Sequence, residues 1–149
     1  MKIIILENIR SAYNVGNIIR TADALSWQVR LTGYTPSPVD NKKVVKTSLG
    51  AEESVGIRQF DSTADAIDEA KKNNCIVVAA EITENAIDLS EFSKQKKSDV
   101  AVVFGNEVDG VLASTLKIVD HVVYIPMQWI KESLNVWQTS AIFMRALQE

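Results

Sequence analysis

The 149-residue sequence has a single cysteine, Cys75, and a single histidine, His121. A lone cysteine cannot form a disulfide within the chain, and these two residues cannot assemble a cysteine cluster or a multi-histidine zinc site. Both lie within or beside apolar runs, so we expect them to be buried structural residues. The chemistry of the protein must therefore come from other side chains, and no metal is expected.

Glycine and proline are also scarce, with six and three residues, while 46% of the chain is hydrophobic and 23% is charged. This composition excludes disordered, collagen-like and low-complexity chains. No apolar run approaches the roughly 20 residues needed to span a bilayer, and the opening run Ile3–Leu6 meets Glu7 too early for a signal peptide. We expect a cytoplasmic protein folded as one domain over residues 1–149.

Two nucleotide-binding signatures are missing, the G-x-G-x-x-G dinucleotide fingerprint and the Gly-Lys-Ser/Thr phosphate loop. The net charge of −3 argues against non-specific coating of nucleic acid. Residues 1–50, however, contain seven Lys or Arg against three Asp or Glu. A polyanion is therefore expected to meet the N-terminal third, the alternative being ordinary solvated surface charge.

Apolar, β-branched runs alternate with helical patterns along the chain, which predicts an α/β fold with a mostly parallel sheet. Several of the runs are continuously apolar, as expected when helices cover both faces of the sheet. The polar segment Glu84–Ser98 is predicted to be an irregular connection. The predicted strands are Ile3–Leu6, Val29–Thr32, Ser54–Phe60, Cys75–Ala80, Val100–Phe104 and Val122–Ile125, and the predicted helices are Asn17–Leu25, Thr63–Lys72 and Leu134–Leu147, with Val39–Thr47 as a weaker candidate.

Ligands of parallel sheets bind at the carboxyl ends of the strands, so the segments that follow the apolar runs are the candidates for a site. Asn14 and Gly16 follow the first strand and are predicted to cap and open a helix, from which Arg20 projects one turn in. Its planar guanidinium group suits phosphate. The alternative is a surface arginine paired with Asp23 or Glu7.

Two further segments follow the fifth and sixth strands. Gly105 ends the fifth strand, where a missing Cβ lets a ligand approach the backbone, and Glu107 beside it can accept hydrogen bonds from a substrate. The alternative is a structural turn in which Glu107 stabilises a helix N-terminus. Ile125–Met127 ends the sixth strand, and Ser133 with Asn135 opens the last helix.

Taken in order, these segments resemble the three motifs of the SpoU/TrmH group of SPOUT methyltransferases. Enzymes of this group transfer a methyl group from S-adenosylmethionine to a ribose 2′-hydroxyl of RNA. The first motif is Asn14–Ala24 and the second is Val103–Gly110. The third begins at Ile125 and continues through Ser133-Leu134-Asn135 to Val136, so the match spans nearly the whole chain.

The resemblance implies a SPOUT-type fold with a C-terminal trefoil knot, S-adenosylmethionine as cofactor, and a homodimer with active sites near the subunit interface. No N-terminal RNA-binding extension is recognised, so the chain resembles the minimal single-domain members, with tRNA favoured over rRNA as substrate. By the same resemblance, the catalytic-site residues are Arg20, Asn14, Glu107, Ser133 and Asn135, and the cofactor-binding residues are Ala80, Gly105, Ile125, Met127, Ser133 and Leu134.

Three positions depart from the family pattern. Trp129 and Trp137 stand where the family often has small residues, and Ser26 stands where the first motif often ends in glycine. These departures leave open a second hypothesis, a non-catalytic RNA- or S-adenosylmethionine-binding module with the same knotted fold. A third hypothesis is an unrelated doubly wound nucleotide-binding enzyme.

Overall fold

The computed structural model describes residues 1–95, 99–128 and 134–148. Its strands are β1 (Lys2–Glu7), β2 (Gln28–Thr32), β3 (Ile57–Phe60), β4 (Ile76–Ala80), β5 (Ile87–Asp88), β6 (Val100–Phe104) and β7 (His121–Tyr124). Its helices are α1 (Ala12–Ala24), α2 (Lys42–Ser48), α3 (Thr63–Lys72), α4 (Leu89–Ser93), α5 (Ala113–Leu116) and α6 (Val136–Ala146), with one 3₁₀ turn at Ala51–Glu53.

The described strands form one parallel sheet in the order β3-β2-β1-β6-β4-β7-β5. Side chains of β1 alternate between its two faces. Ile4 and Leu6 belong to a core shared with α1, α2, α4 and α6, whereas Ile3 and Ile5 belong to a second core shared with α3. Helices therefore cover both faces, and the predicted α/β fold with a parallel sheet is confirmed.

The first helix begins earlier than predicted, because Ser11 rather than Asn14 is its N-cap. The Ser11 hydroxyl accepts a hydrogen bond from the backbone N–H of Asn14 at 3.2 Å, so Asn14 lies inside the first turn. At α6 the prediction is better: Asn135 is the N-cap and accepts a hydrogen bond from the backbone N–H of Trp137 at 3.2 Å. Ser133 lies outside the described residues.

Short elements account for most of the other differences. The segment predicted to be irregular contains β5 and α4, and Asp88 caps α4 by accepting a hydrogen bond from the Ser90 N–H at 2.7 Å. The helix α5 was also not predicted. Elements of two to five residues are too short to carry a periodic hydrophobic signal.

The single cysteine and the single histidine both pack against other side chains of the fold. Cys75 is buried in the second core, as expected, and burial raises the pKa of its thiol. His121 is half-buried, and its ring packs edge-on against Phe92 with centroids 5.8 Å apart. Among the described residues, no His, Cys, Asp and Glu side chains are grouped to hold a metal ion. No helix in that part of the chain is both long and apolar enough to cross a membrane.

The expected trefoil knot depends on the path of the chain between β7 and α6. Residues 129–133 of that path lie outside the described residues. The knot therefore stays a prediction.

A glycine sets the close contact between α1 and α2. A Cβ at Gly16 would overlap the carbonyl oxygen of Val44 and Oγ1 of Thr47. Gly16→Ala is therefore expected to force the helices apart and lower the free energy of unfolding in urea by about 1–3 kcal/mol. Gly56→Ala is the matched control, because a Cβ there would meet only Gln28, at 3.5 Å. Equal stability of the two variants would contradict this account.

Candidate functional site

A cleft of about 580 Å³ opens at the carboxyl ends of β4, β6 and β7, where the sequence predicted a site. Its apolar lining includes Ile125, Met127 and Leu134, and polar groups come from Glu81 in the loop after β4 and from Thr139 on α6. This volume is typical of small-molecule and cofactor sites. The cleft is lined by five of the predicted cofactor-binding residues, namely Ala80, Gly105, Ile125, Met127 and Leu134.

The reason for glycine at position 105 differs from the one expected. The space that a Cβ would fill is occupied by the backbone of Gly110 and Val111, not left open for a ligand. Gly110 has a φ of +71° and would itself carry a Cβ into the Glu81 carboxylate. Both glycines are therefore required to fold the loop 105–110 compactly beside the cleft.

Asn106 organises that same loop and was not among the predicted site residues. Its side chain is 8% exposed. The amide oxygen accepts hydrogen bonds from the N–H groups of Val108 and Asp109, at 2.8 and 3.0 Å. The amide nitrogen donates to the carbonyl oxygen of Asn8 at 2.9 Å. An asparagine that satisfies the amides of its own loop is a known turn signal, which the sequence did offer at this position.

Glu107 joins the second motif to the first. Leu6 of β1 is paired with Phe104 of β6, so the loops that follow these strands run side by side. The Glu107 carboxylate accepts hydrogen bonds from the N–H groups of Arg10 and Ser11, at 3.0 and 3.2 Å. It also accepts one from Nδ2 of Asn14, at 3.3 Å. The geometry matches the alternative interpretation, in which Glu107 stabilises a helix N-terminus, here that of α1.

The charge state of Glu107 follows from these contacts. Partial desolvation alone would raise the pKa of the carboxyl group. Hydrogen bonds from the N–H groups of Arg10 and Ser11, from its own backbone and from the Asn14 side chain together outweigh that effect, and the pKa is lowered. Glu107 is therefore held as a carboxylate at neutral pH.

Arg20 is exposed on α1 and does not have the surface partners that were considered for it. Asp23 instead accepts a hydrogen bond from the Ser54 hydroxyl at 2.6 Å. The buried Glu7 accepts hydrogen bonds from the N–H of Leu112, at 2.9 Å, and from the Thr115 hydroxyl. Within the described residues Arg20 forms no salt bridge, so that alternative is wrong.

The position of Arg20 also differs from the expectation of one turn into the helix. It lies eight residues after Ala12, the first residue of α1, or about 12 Å along the helix axis. Neither Arg20 nor Asn14 is among the described residues that line the cleft, whereas Glu107 and Asn135 are. Trp137 is half-buried against the main core and is also not among the described lining residues, and Trp129 lies outside the described part of the chain.

Comparison with known proteins places the chain in a family. The model of the SpoU rRNA Methylase family matches residues 1–145, and the chain belongs to this family. The tRNA (guanosine(18)-2′-O)-methyltransferase of Thermus thermophilus is 30% identical over 145 residues, which cover 95% of this chain and 71% of that protein. Membership rules out the hypothesis of an unrelated nucleotide-binding enzyme.

Two other relatives are longer than this chain. The tRNA (guanosine(18)-2′-O)-methyltransferase of Escherichia coli K12 is 25% identical over 143 residues, 96% of this chain and 61% of that protein. The AdoMet-bound rRNA methyltransferase of Sinorhizobium meliloti superposes with a TM-score of 0.89 at 25% identity, over 99% of this chain and 55% of that one. The chain thus spans little more than half the length of these relatives, and the expected SPOUT-type fold is confirmed.

The Glu107 contacts predict a pH-dependent stability. Because the folded-state pKa is lowered from its ordinary value of 4.5, the carboxylate contributes stability that is full above that value and is lost as the pH falls through the folded value. Glu107→Gln is expected to unfold more easily in urea than the unmodified chain at neutral pH. The difference in the free energy of unfolding between Glu107→Gln and the unmodified chain should become smaller in acid.

Glu84→Gln, at an exposed position outside the site, is the control and should unfold as the unmodified chain does throughout. Urea titrations at intervals between about pH 7 and pH 3 measure this difference. A difference for Glu107→Gln that stays constant over this range would contradict the assignment of the stabilising contacts to the charged form.

Proposed function

We propose that this chain transfers a methyl group from S-adenosylmethionine to a ribose 2′-hydroxyl of RNA, with tRNA favoured over rRNA. The observation that carries the proposal is the cleft built by the second and third motif segments, with the first motif tied to it through Glu107. The family, and relatives named as tRNA 2′-O-methyltransferases, support the same reaction.

The cleft suits S-adenosylmethionine in size and in chemistry. Ile125, Met127 and Leu134 line the cleft and keep part of their apolar surface accessible, which an adenine ring can cover. The strand ends at Ala80 and Gly105 offer backbone N–H and C=O groups for the polar atoms of a nucleoside. The carboxylates of the cleft favour a cationic ligand. When bound, S-adenosylmethionine supplies a methyl group on a positively charged sulfur.

The first third of the chain supplies the groups that face the RNA. Free arginine is far too weak a base to remove the hydroxyl proton, so Arg20 acts by orienting and polarising the ribose hydroxyl together with a nearby RNA phosphate. Asn14 and Glu107 position the start of α1, the helix that carries Arg20. Asn135 fixes the start of α6 at the other side of the cleft.

The location of Arg20 supports a homodimer. Its side chain is exposed on α1, away from the described lining of the cleft in its own chain. Tyr13 on α1 and Ile142 on α6 are 46% and 41% exposed, on helices that pack against each other. A second copy that covers these apolar side chains would bring Arg20 of one protomer to the cleft of its partner.

Cofactor binding followed by methyl transfer tests the proposal. Calorimetry with S-adenosylmethionine is expected to show binding, and labelled methyl groups are expected to appear on ribose 2′-oxygens of unmodified tRNA transcripts in preference to rRNA transcripts. Chelation of divalent ions should leave cofactor binding unchanged. Binding without transfer to either RNA would instead support the non-catalytic binding module. Absence of cofactor binding would overturn the proposed methyl transfer and leave only the RNA-binding form of the non-catalytic module.

Replacing Arg20 tests its role in turnover. Arg20→Ala is expected to lower single-turnover methyl transfer by roughly two orders of magnitude or more, the scale of a positioned charge-stabilising group. Cofactor affinity and the thermal melt should stay unchanged, because Arg20 is exposed, does not line the cleft of its own chain and is proposed to act on the RNA. Arg20→Lys should recover little, since an ammonium lacks the planar fork. Lys72→Ala removes an exposed charge on α3 and serves as control.

A mixture of two inactive variants distinguishes action within a protomer from action across the interface. Leu134→Trp is expected to block the cleft, which Leu134 lines while it is 40% exposed. Co-expressed with Arg20→Ala, it should restore part of the activity only if Arg20 serves the partner's cleft.

A light-scattering mass near 16.5 kDa would contradict the dimer, and near-normal transfer by Arg20→Ala would remove Arg20 from the site.

A further inference from the structure

Tyr34 is the most exposed aromatic side chain in the described part of the chain, at 61%. Four other rings are in the core, since Trp27, Phe92, Phe104 and Phe143 are each 2% exposed or less, and Tyr13 is 46% exposed. Tyr34 follows β2 by two residues and so lies at the same carboxyl edge of the sheet as the cleft. An aromatic ring left in solvent beside a candidate site is a binding feature to be explained.

Tyr34 is held by hydrogen bonds at its backbone and at its hydroxyl group. The Tyr34 N–H donates to Oδ1 of Asn8 at 3.2 Å. The Tyr34 hydroxyl oxygen accepts a hydrogen bond from Nδ2 of Asn106 at 2.6 Å. Gly33 has a φ of +62°, and a Cβ there would overlap Asn8 Oδ1, so this turn requires glycine. The loop therefore presents the ring in a fixed orientation. Because the ring is already ordered, a ligand that binds it causes little further loss of conformational entropy.

The same contacts connect Tyr34 to the cleft. Asn106, which anchors the hydroxyl, lines the cleft and lies between Gly105 and Glu107, which also line it. Thr35, the next residue, accepts a hydrogen bond from the Ile9 N–H at 3.0 Å and donates to the Leu6 carbonyl oxygen at 2.9 Å. The loop that carries the ring is thus fixed to the segments that follow β1 and β6, and β6 ends at the cleft.

The charge around Tyr34 favours a polyanion over an apolar protein surface. Arg10 is exposed two residues after Asn8, and its side chain forms no ion pair with any described residue. Lys42 and Lys43 are exposed at the start of α2, where the loop that begins at Gly33 ends. An exposed aromatic ring on a basic part of the chain is typical of surfaces that stack single-stranded bases and track their backbone.

We infer that Tyr34 stacks on a nucleobase of the RNA substrate and so places the target ribose over the cleft. The inference rests on the proposed function and adds to it a residue outside the three motif segments. Stacking tolerates different bases, because every base has a π-face, so Tyr34 contributes to RNA affinity and register rather than to the choice of base. Asn106 acts through Tyr34 and through its own loop as a positioning residue.

Variants at position 34 separate stacking from other roles. With saturating S-adenosylmethionine and unmodified tRNA transcripts, Tyr34→Ala is expected to raise KM for RNA on the order of tenfold or more, the scale of one lost base stack. Tyr34→Phe keeps the ring but loses its hydrogen bond to Asn106, so its KM should lie between the unmodified and the alanine values. Tyr34→Leu keeps an apolar side chain without a π-face and should resemble alanine. Fluorescence anisotropy with labelled tRNA transcript provides the same comparison without turnover.

Val39→Ala is the matched control, since Val39 is 90% exposed in the same loop and has no ring. Cofactor affinity and thermal melt should be unchanged in all variants. Unchanged KM and RNA affinity in Tyr34→Ala would overturn the inference while leaving methyl transfer intact. A shift of Tyr34→Ala towards monomer in sedimentation would also overturn it, because a second copy would then cover the ring. If the unmodified chain transfers no methyl group, the proposed function fails, and anisotropy still decides the inference.

Discussion

The pairing of β1 with β6 is the constraint on which the site depends. These parallel neighbours, aligned at Leu6 and Phe104, end side by side, and each leads into a loop that carries one motif. The loop after β1 begins α1, and the loop after β6 folds back on itself through Gly105 and Gly110. Because the strands are adjacent, one carboxylate, that of Glu107, is able to satisfy the amides that open the neighbouring helix.

That arrangement separates two kinds of chemistry. The cleft takes its lining from the later strands β4, β6 and β7 and from α6, where apolar walls and backbone groups suit a small nucleoside. Excess positive charge is confined to residues 1–50, in a chain whose net charge is −3. A polyanion would therefore be attracted to that part of the chain instead of to the whole molecule. Glu107 and Asn106 join the cleft to the N-terminal third of the chain through hydrogen bonds with Asn14 and Asn8.

The sequence predicted the type of each long element, because their hydrophobic periods are long enough to read, although α1 begins five residues before the predicted Asn17. The helix Thr63–Lys72 was predicted with the bounds it has, and the central strands differ by a residue at most. Prediction from the sequence failed where an element depends on contacts with residues that are distant in the chain. Short elements such as β5 and α4 form by packing against neighbours rather than by pattern. A serine at position 11 took the capping role given to Asn14 for the same kind of reason, since Glu107 fixes the chain there.

The predicted site residues show a similar division. Positions on strand ends, such as Ala80 and Ile125, line the cleft because sheet topology alone determines where they lie. The place of Arg20 was not predictable in this way, because it is on a helix face that the chain leaves exposed. The reason for glycine at 105 was also hidden, since it depends on the backbone of residues 110 and 111, which only the folded loop brings near.

A cleft built from strand ends explains how so few identical residues keep one architecture. The relatives are 25–30% identical, yet a solved structure at 25% superposes with a TM-score of 0.89. Backbone groups bind a ligand whatever side chain they carry, so most lining positions are free to vary in size and type. The exceptions are positions where a side chain would collide with the main chain, as at Gly105, or where one carboxylate serves two loops, as at Glu107. The structural requirements on side chains are therefore strictest where the loops after β1 and β6 meet and weaker elsewhere around the cleft.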